Sequence, residues 1–275
     1  MSDLNRDAAG LDDGIWERID AAALEAAAER LTARRFLEVD GPYGLGLTSL
    51  ESGPEARIAD PDAASADAEL AATVGSRALP VPMLQQPCAL SVRRVEGHRQ
   101  LSLPLDLRPV EDAAEAVARR EERMIYHGVP QLGLDGLTTV EGRAEAPCGD
   151  WSDLSRALGD VLEAVNRLDA NGFGGPYALA LAPARYNALF RRLEGSDMLQ
   201  VDHLRRLCEA GLYKAPVDGG VLVDTRAGTL TVGQDLRVGF SANDGVHLKL
   251  FVSESLVLLL DDPAAICTLT PSSTR

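Results

Sequence analysis

The sequence predicts an α+β fold, and three observations lead there. Helical stretches fall at 12–33, 109–127, 151–170, 183–194 and 201–211, without a regular strand between each pair. From Gly219 to Asp262 the chain reads instead as successive strands, with turns at Arg226-Ala227-Gly228 and at Ser241 to Gly245. Between the first two helical stretches, residues 45–80 are too poor in large apolar side chains to form a core of their own. Such irregular interleaving favours α+β over a repeating βαβ series.

The chain has 275 residues, 45% hydrophobic and 25% charged, which suits one or two globular domains and is too apolar for a wholly disordered chain. Aromatics are only 4%, so Leu, Val and Ala must do most of the packing. Twenty-seven basic against 42 acidic residues leave a net charge of −15. Without a basic block, that balance disfavours a nucleic-acid partner, whose binding is driven by Lys and Arg at phosphates. The pairs Arg34-Arg35, Arg191-Arg192 and Arg205-Arg206 read as solvated or salt-bridged helix faces.

The start, MSDLNRDAAGLDDGIW, lacks a charged-then-apolar leader, and no run reaches the roughly 18 apolar residues of a membrane span. A cytoplasmic protein without a membrane partner is expected. Cys88, Cys148, Cys208 and Cys267 stand too far apart for local zinc spacing and read as four free thiols.

In chain order, 12–33 is a helix capped by Asp12 or Asp13, with Ile15, Ile19, Ala23 and Ala26 or Ala27 on one side. Residues 36–40 alternate as a short strand, with Phe36, Glu38 and Asp40 opposite Leu37 and Val39, closed by the turn at Gly41-Pro42. Stretch 45–80 is strand-like at both ends and acidic in the middle. It is either disordered or ordered from outside, as a hairpin arm pairing with another subunit would be. Residues 109–127 carry the strongest helix signal, with Pro109 near the start and Val110, Ala114, Val117, Met124 and Ile125 along one side. The second Gly-Pro turn, at Gly175-Pro176, opens the strand 176–182, and the polar end TPSSTR is expected to fray.

Local motifs for chemistry are missing. Gly172 to Gly175 runs from a helix into a strand, the reverse of a phosphate loop, and Lys214 and Lys249 lack a P-loop glycine. His98, His127, His203 and His247 are too scattered to make a metal face. Glu121-Glu122 reads as solvated charge or a subunit salt bridge rather than a catalytic carboxylate pair. Neither a catalytic centre, a cofactor site nor a metal site is expected.

Several runs taken together resemble the encapsulin family of nanocompartment shell proteins: ARRFLEVDGPYG (33–44), EERMIYHG (121–128), GLDGL (133–137), GGPYALALAPARYNALFRRLEG (174–195), KAPV (214–217), and GQDLRVGF followed by VHLKLFVSESLVLLLDDPAAI. The resemblance implies a Hong Kong 97-type capsid fold. It would comprise an N-terminal helix and the start of a peripheral domain (1–44), an E-loop arm (45–80), and the peripheral domain with its spine helix (81–132). An axial domain (133–222), peripheral strands forming a cargo wall (223–253) and a return to the axial domain (254–275) would follow. Many copies, 60 in the simplest shell, would enclose a cargo such as a dye-decolourising peroxidase or a ferritin-like protein, held by its C-terminal targeting peptide.

Residue by residue, the resemblance places that peptide at Arg34, Glu38, Asp235, Leu236 and Phe240, the charged groups orienting it and the last two supplying apolar contact. It places a fivefold pore at Glu194, Ser196 and Asp197, where acids would favour cations. In CALSVRRVEG, read as a strand, Arg93 stands where flavin-holding relatives carry a Trp, so no flavin is expected. Two other readings stay open: a prophage capsid protein, and a hydrolase or bacteriocin.

Overall fold

The computed structural model describes residues 4–59, 72–149, 151, 154–190 and 199–271. The pore residues Glu194, Ser196 and Asp197, the middle of the arm and the last four residues lie outside these.

The chain opens with a 3-10 turn (Arg6–Ala9) and α1 (Asp13–Ala28). The Asp12 carboxylate accepts from the Ile15 N–H at 3.0 Å and caps this helix. Ile15, Ile19, Ala23 and Ala27 are buried along one side, as their spacing predicts. The helix stops at Ala28 rather than near residue 33. A 3-10 turn (Ala33–Arg35) follows instead, because the Glu122 carboxylate captures the N–H groups of Thr32 and Ala33 at 2.8 and 3.0 Å.

β1 (Glu38–Asp40) is exposed throughout, while Phe36 and Leu37 are both buried, so the expected alternation through 36–40 fails where the 3-10 turn feeds the strand. β2 (Ser49–Ala59) and β3 (Ala72–Pro80) form an antiparallel arm, a sheet of two strands by themselves. β4 (Met83–Ser91) leads into α2 (Val92–Leu101), a helix where a strand was expected, with Arg93 exposed on it. α3 (Arg108–His127) carries Pro109 in its first turn and buries Val110, Ala113, Ala114, Val117, Met124 and Ile125.

A second region holds β5 (Ala144–Cys148), α4 (Leu154–Ala170), β6 (Tyr177–Leu181), α5 (Pro183–Ala188), α6 (Gln200–Leu207), β7 (Gly211–Lys214) and β8 (Gly220–Asp224). The described part of α5 is only six residues, short of the expected 183–194 helix. α6 ends at Leu207 because the chain must turn to place β7 beside β6. β9 (Gly228–Asn243), β10 (His247–Leu260) and β11 (Ile266–Pro271) complete the chain.

Besides the arm, the described residues form two sheets, ordered β1-β9-β10-β4 and β5-β11-β8-β6-β7. α1 and α3 bury their apolar sides with β9 and β10 around Ile19, Val117, Val238 and Val252. α4 and α6 cover the second sheet around Trp151, Leu168, Leu179 and Leu222. β10 runs unbroken through the expected boundary at residue 254 and ties the first sheet to the core beneath the second. The two Gly-Pro turns share one backbone device: Gly41 and Gly175 have φ of +117° and +87°, which a side chain would strain. Gly41 is also tight, since an added Cβ would lie 2.4 Å from the Val232 carbonyl. All four cysteines are free.

Candidate functional site

The site is a gap along β9. On the side of β9 facing β1, Glu38 to Asp40 pair in parallel with Thr229 to Thr231. The pairing continues as the N–H groups of Tyr43 and Gly44 donate to the carbonyls of Val232 and Gly233 at 3.0 and 2.6 Å. Farther along, the Phe240 N–H donates to the Leu4 carbonyl at 2.9 Å, and Arg6 Nε donates to the Val238 carbonyl at 2.8 Å. Between these two covered stretches lies a cavity of about 300 Å3, lined by Leu4, Pro42, Leu45, Gln234, Asp235 and Arg237 among others.

The opposite side of β9 explains why the gap opens there. Register with β10 passes from Gln234↔Ser255 to Arg237↔Ser253, so Asp235 and Leu236 together face Glu254. Two residues against one is a β-bulge, which bends the strand and re-aims its side chains. The Ser255 hydroxyl accepts from the Gln234 N–H at 2.9 Å and holds the residue that precedes the bulge. Asp235 and Arg237 emerge to solvent, whereas Leu236 and Phe240 point inward beneath α1, only 7% and 6% exposed.

The N-terminal segment is fixed beside this gap. Arg6 forms two bonds to the Asp20 carboxylate, at 2.8 and 2.6 Å, while its guanidinium lies 4.5 Å from the centre of the Trp16 ring.

Behind the bulge sits a buried charge cluster. Arg34 donates to both oxygens of Glu121, at 2.6 and 3.0 Å, and to Glu254 at 3.0 Å. Both carboxyls are fully buried, while the Arg34 side chain is 21% exposed. Burial, followed by the neighbouring Glu121, holds the Glu254 carboxyl well above the usual carboxylate range. Glu122 points the other way and accepts from Thr32 and Ala33. The expectation that Glu121-Glu122 is solvated or bridges subunits is therefore corrected: both are buried and paired within the chain, because α3 lies against the 3-10 turn.

The five residues predicted for peptide binding do not all converge. Arg34, Asp235 and Leu236 gather at the bulge, and Phe240 lies beyond it beneath α1. Glu38 stands apart, paired with Thr229 six residues down β9, or about 20 Å at roughly 3.3 Å per residue. Its charge instead bears on Asp261, whose carboxyl is raised by burial and then by Glu38. Residues the sequence reading missed are Leu4, Arg6, Gln234, Arg237 and Glu254. Only Glu254 left a signal, as an acid inside the apolar run VSESLVLLL.

The sequence profile of the Linocin_M18 family, described as "Encapsulating protein for peroxidase", matches residues 1–257. The chain belongs to this encapsulin family. A type 1 encapsulin shell protein of Rhodospirillum rubrum is 33% identical over 270 residues, covering 96% of this chain and 95% of the relative. The type 1 encapsulin shell protein EncA of Myxococcus xanthus is 29% identical, with 92% and 91% covered. In structure, the encapsulin chain is similar to the virus-like particle of Pyrococcus furiosus, with a TM-score of 0.71 and 20% identity over 93% of this chain and 99% of the other. It is also similar to the capsid of Myoviridae phage XM1, with a TM-score of 0.59 and 15% identity over 87% and 90%. The fold is that of tailed-phage capsid proteins. Among the described residues, no helix of this encapsulin is long and apolar enough to cross a membrane.

Proposed function

We propose that this encapsulin closes with copies of itself into a hollow icosahedral shell of 60 subunits in the cytoplasm, and that the C-terminal tail of a cargo enzyme docks on β9. The carrying observation is the stretch Gln234–Arg237, where, among the described residues, pairing by the Gly-Pro turn has ended and pairing by Leu4 has not begun. An extended peptide added there would gain main-chain hydrogen bonds, with side-chain pockets supplying selectivity. Asp235 and Arg237 face it directly, and Arg34 steadies the bulge from behind. Leu236 and Phe240 form the apolar floor, reached once α1 or the N-terminal segment yields. Glu38, on β1 beside the far end of β9, would meet only a longer tail.

Weak binding suffices, because an oligomeric cargo engages several walls at once. The peroxidase in the family description makes a dye-decolourising peroxidase the first cargo to test, with a ferritin-like protein the second.

The subunit is a container rather than an enzyme, and the pore formed by Glu194, Ser196 and Asp197 admits cations. Neither nucleic acid nor flavin accompanies it: the charge of −15 repels the first, and Arg93 stands in place of the aromatic partner of the second.

Loading of a tail-tagged fluorescent protein into co-expressed shells tests the docking site. Asp235→Lys and Arg237→Glu change exposed side chains, so shells should form while loading drops about tenfold, the effect of one lost contact of about 1.4 kcal/mol. Undiminished loading in both variants would place the tail elsewhere.

A further inference from the structure

The charge cluster behind the bulge does not balance as drawn. Two carboxyls, Glu121 on α3 and Glu254 on β10, are wholly buried, and among the described residues Arg34 is the only cation paired with either. Two carboxylates against one guanidinium would leave a full negative charge out of water, at a cost that neighbouring atoms do not offset. The remaining neighbours cannot supply the balance. Asp235, across on β9, is another acid, and Glu122, one residue along α3, is occupied by Thr32 and Ala33. Among the described residues, Glu254 Oε1 is buried with no hydrogen-bond partner. An oxygen so placed beside a second carboxyl is satisfied by a proton held between the two.

We propose that Glu121 and Glu254 share one proton in the folded subunit, and that losing it as pH rises unlocks α3 from β10. Like charges in one site cannot both ionise cheaply, and Arg34 balances one of them. The direction found for Glu254, raised by burial first and by Glu121 next, agrees with this charge count. Folding therefore takes up a proton. The stabilisation is complete at and below the ordinary carboxylate range and is lost as pH climbs through the raised value. Between the ordinary carboxylate range and the raised value the folding constant should fall about tenfold per pH unit for the one proton held, and above the raised value it should level off. The inference is independent of where a cargo tail docks, since all three groups belong to the subunit's own core.

The test compares melting of wild-type shells with Glu254→Gln and Glu121→Gln shells from about pH 6 to about pH 10, beside infrared spectra of the wild type. Glutamine keeps the shape and can donate where the shared proton was. At least one variant should hold its melting midpoint over the pH range in which the wild type's falls. The wild type should also show a protonated-carboxyl band at neutral pH that disappears as that fall occurs. Parallel decline of wild type and both variants, or absence of the band at neutral pH, would overturn the proposal. Should neither variant fold, the band and its loss with the melting midpoint decide alone.

Discussion

Arg34 divides its hydrogen bonds between a helix and a strand that are 133 positions apart in the chain, Glu121 and Glu254. Its value lies in what its removal would expose. Arg34→Ala leaves two buried acids without a cation, a change expected to cost about 3–5 kcal/mol and to be seen as a lowered melting midpoint. Arg34→Lys should recover only part of that loss, because an ammonium cannot reproduce the forked contact to both oxygens of Glu121. Loss of cargo in an Arg34 variant would therefore report a damaged wall and not a lost contact. The same holds for Phe240→Ala, which removes a side chain packed under α1 at a cost of about 3–5 kcal/mol. Asp235 and Arg237 are better probes of docking because solvent already surrounds them.

At the scale of elements, α1 is positioned by one cap and one apolar stripe. Asp12→Ala should cost about 1 kcal/mol in thermal unfolding, and Asp12→Asn much less, since the amide oxygen can still accept from Ile15. α1, α3, β9 and β10 were legible in the sequence because each carries its own period. Val110, Ala114, Val117 and Ile125 repeat as a helix must, and Val238 and Phe240 alternate as a strand must. α2 was not legible, since its ten residues bury only Val95 and present no stripe to read. The strands β5, β7 and β11 were missed for a related reason: each is only four to six residues long and acquires its partners from distant parts of the chain. The candidate site was half legible. Asp235 and Leu236 could be named from resemblance, but the bulge that aims them depends on register with β10, and register belongs to two strands at once.

For the whole molecule, the arm of β2 and β3 is what the isolated subunit leaves uncovered. It forms a sheet of two strands, and a lone pair of strands is marginal in water unless something packs against it. Its root is held, because Arg77 donates to the Gly133 carbonyl at 2.9 Å beside a cavity of about 580 Å3 that also meets Leu79, Asp135 and Leu260. In a shell, neighbouring copies would supply the packing that this pair of strands needs. The arm's ends, Ser49 and Pro80, are paired in register and so lie about 5 Å apart. Ser52 and Arg77 are paired in the same register, so residues 53–76 can be replaced by a short Gly-Ser linker that keeps Leu50 and Leu79 against the core. This variant should keep its helices and sheets by circular dichroism, yet scatter light as single subunits or small oligomers. Shells of full size from the armless chain would show that closure depends on other surfaces, and the arm would then be a passenger on the outside of a container that the two sheets build alone.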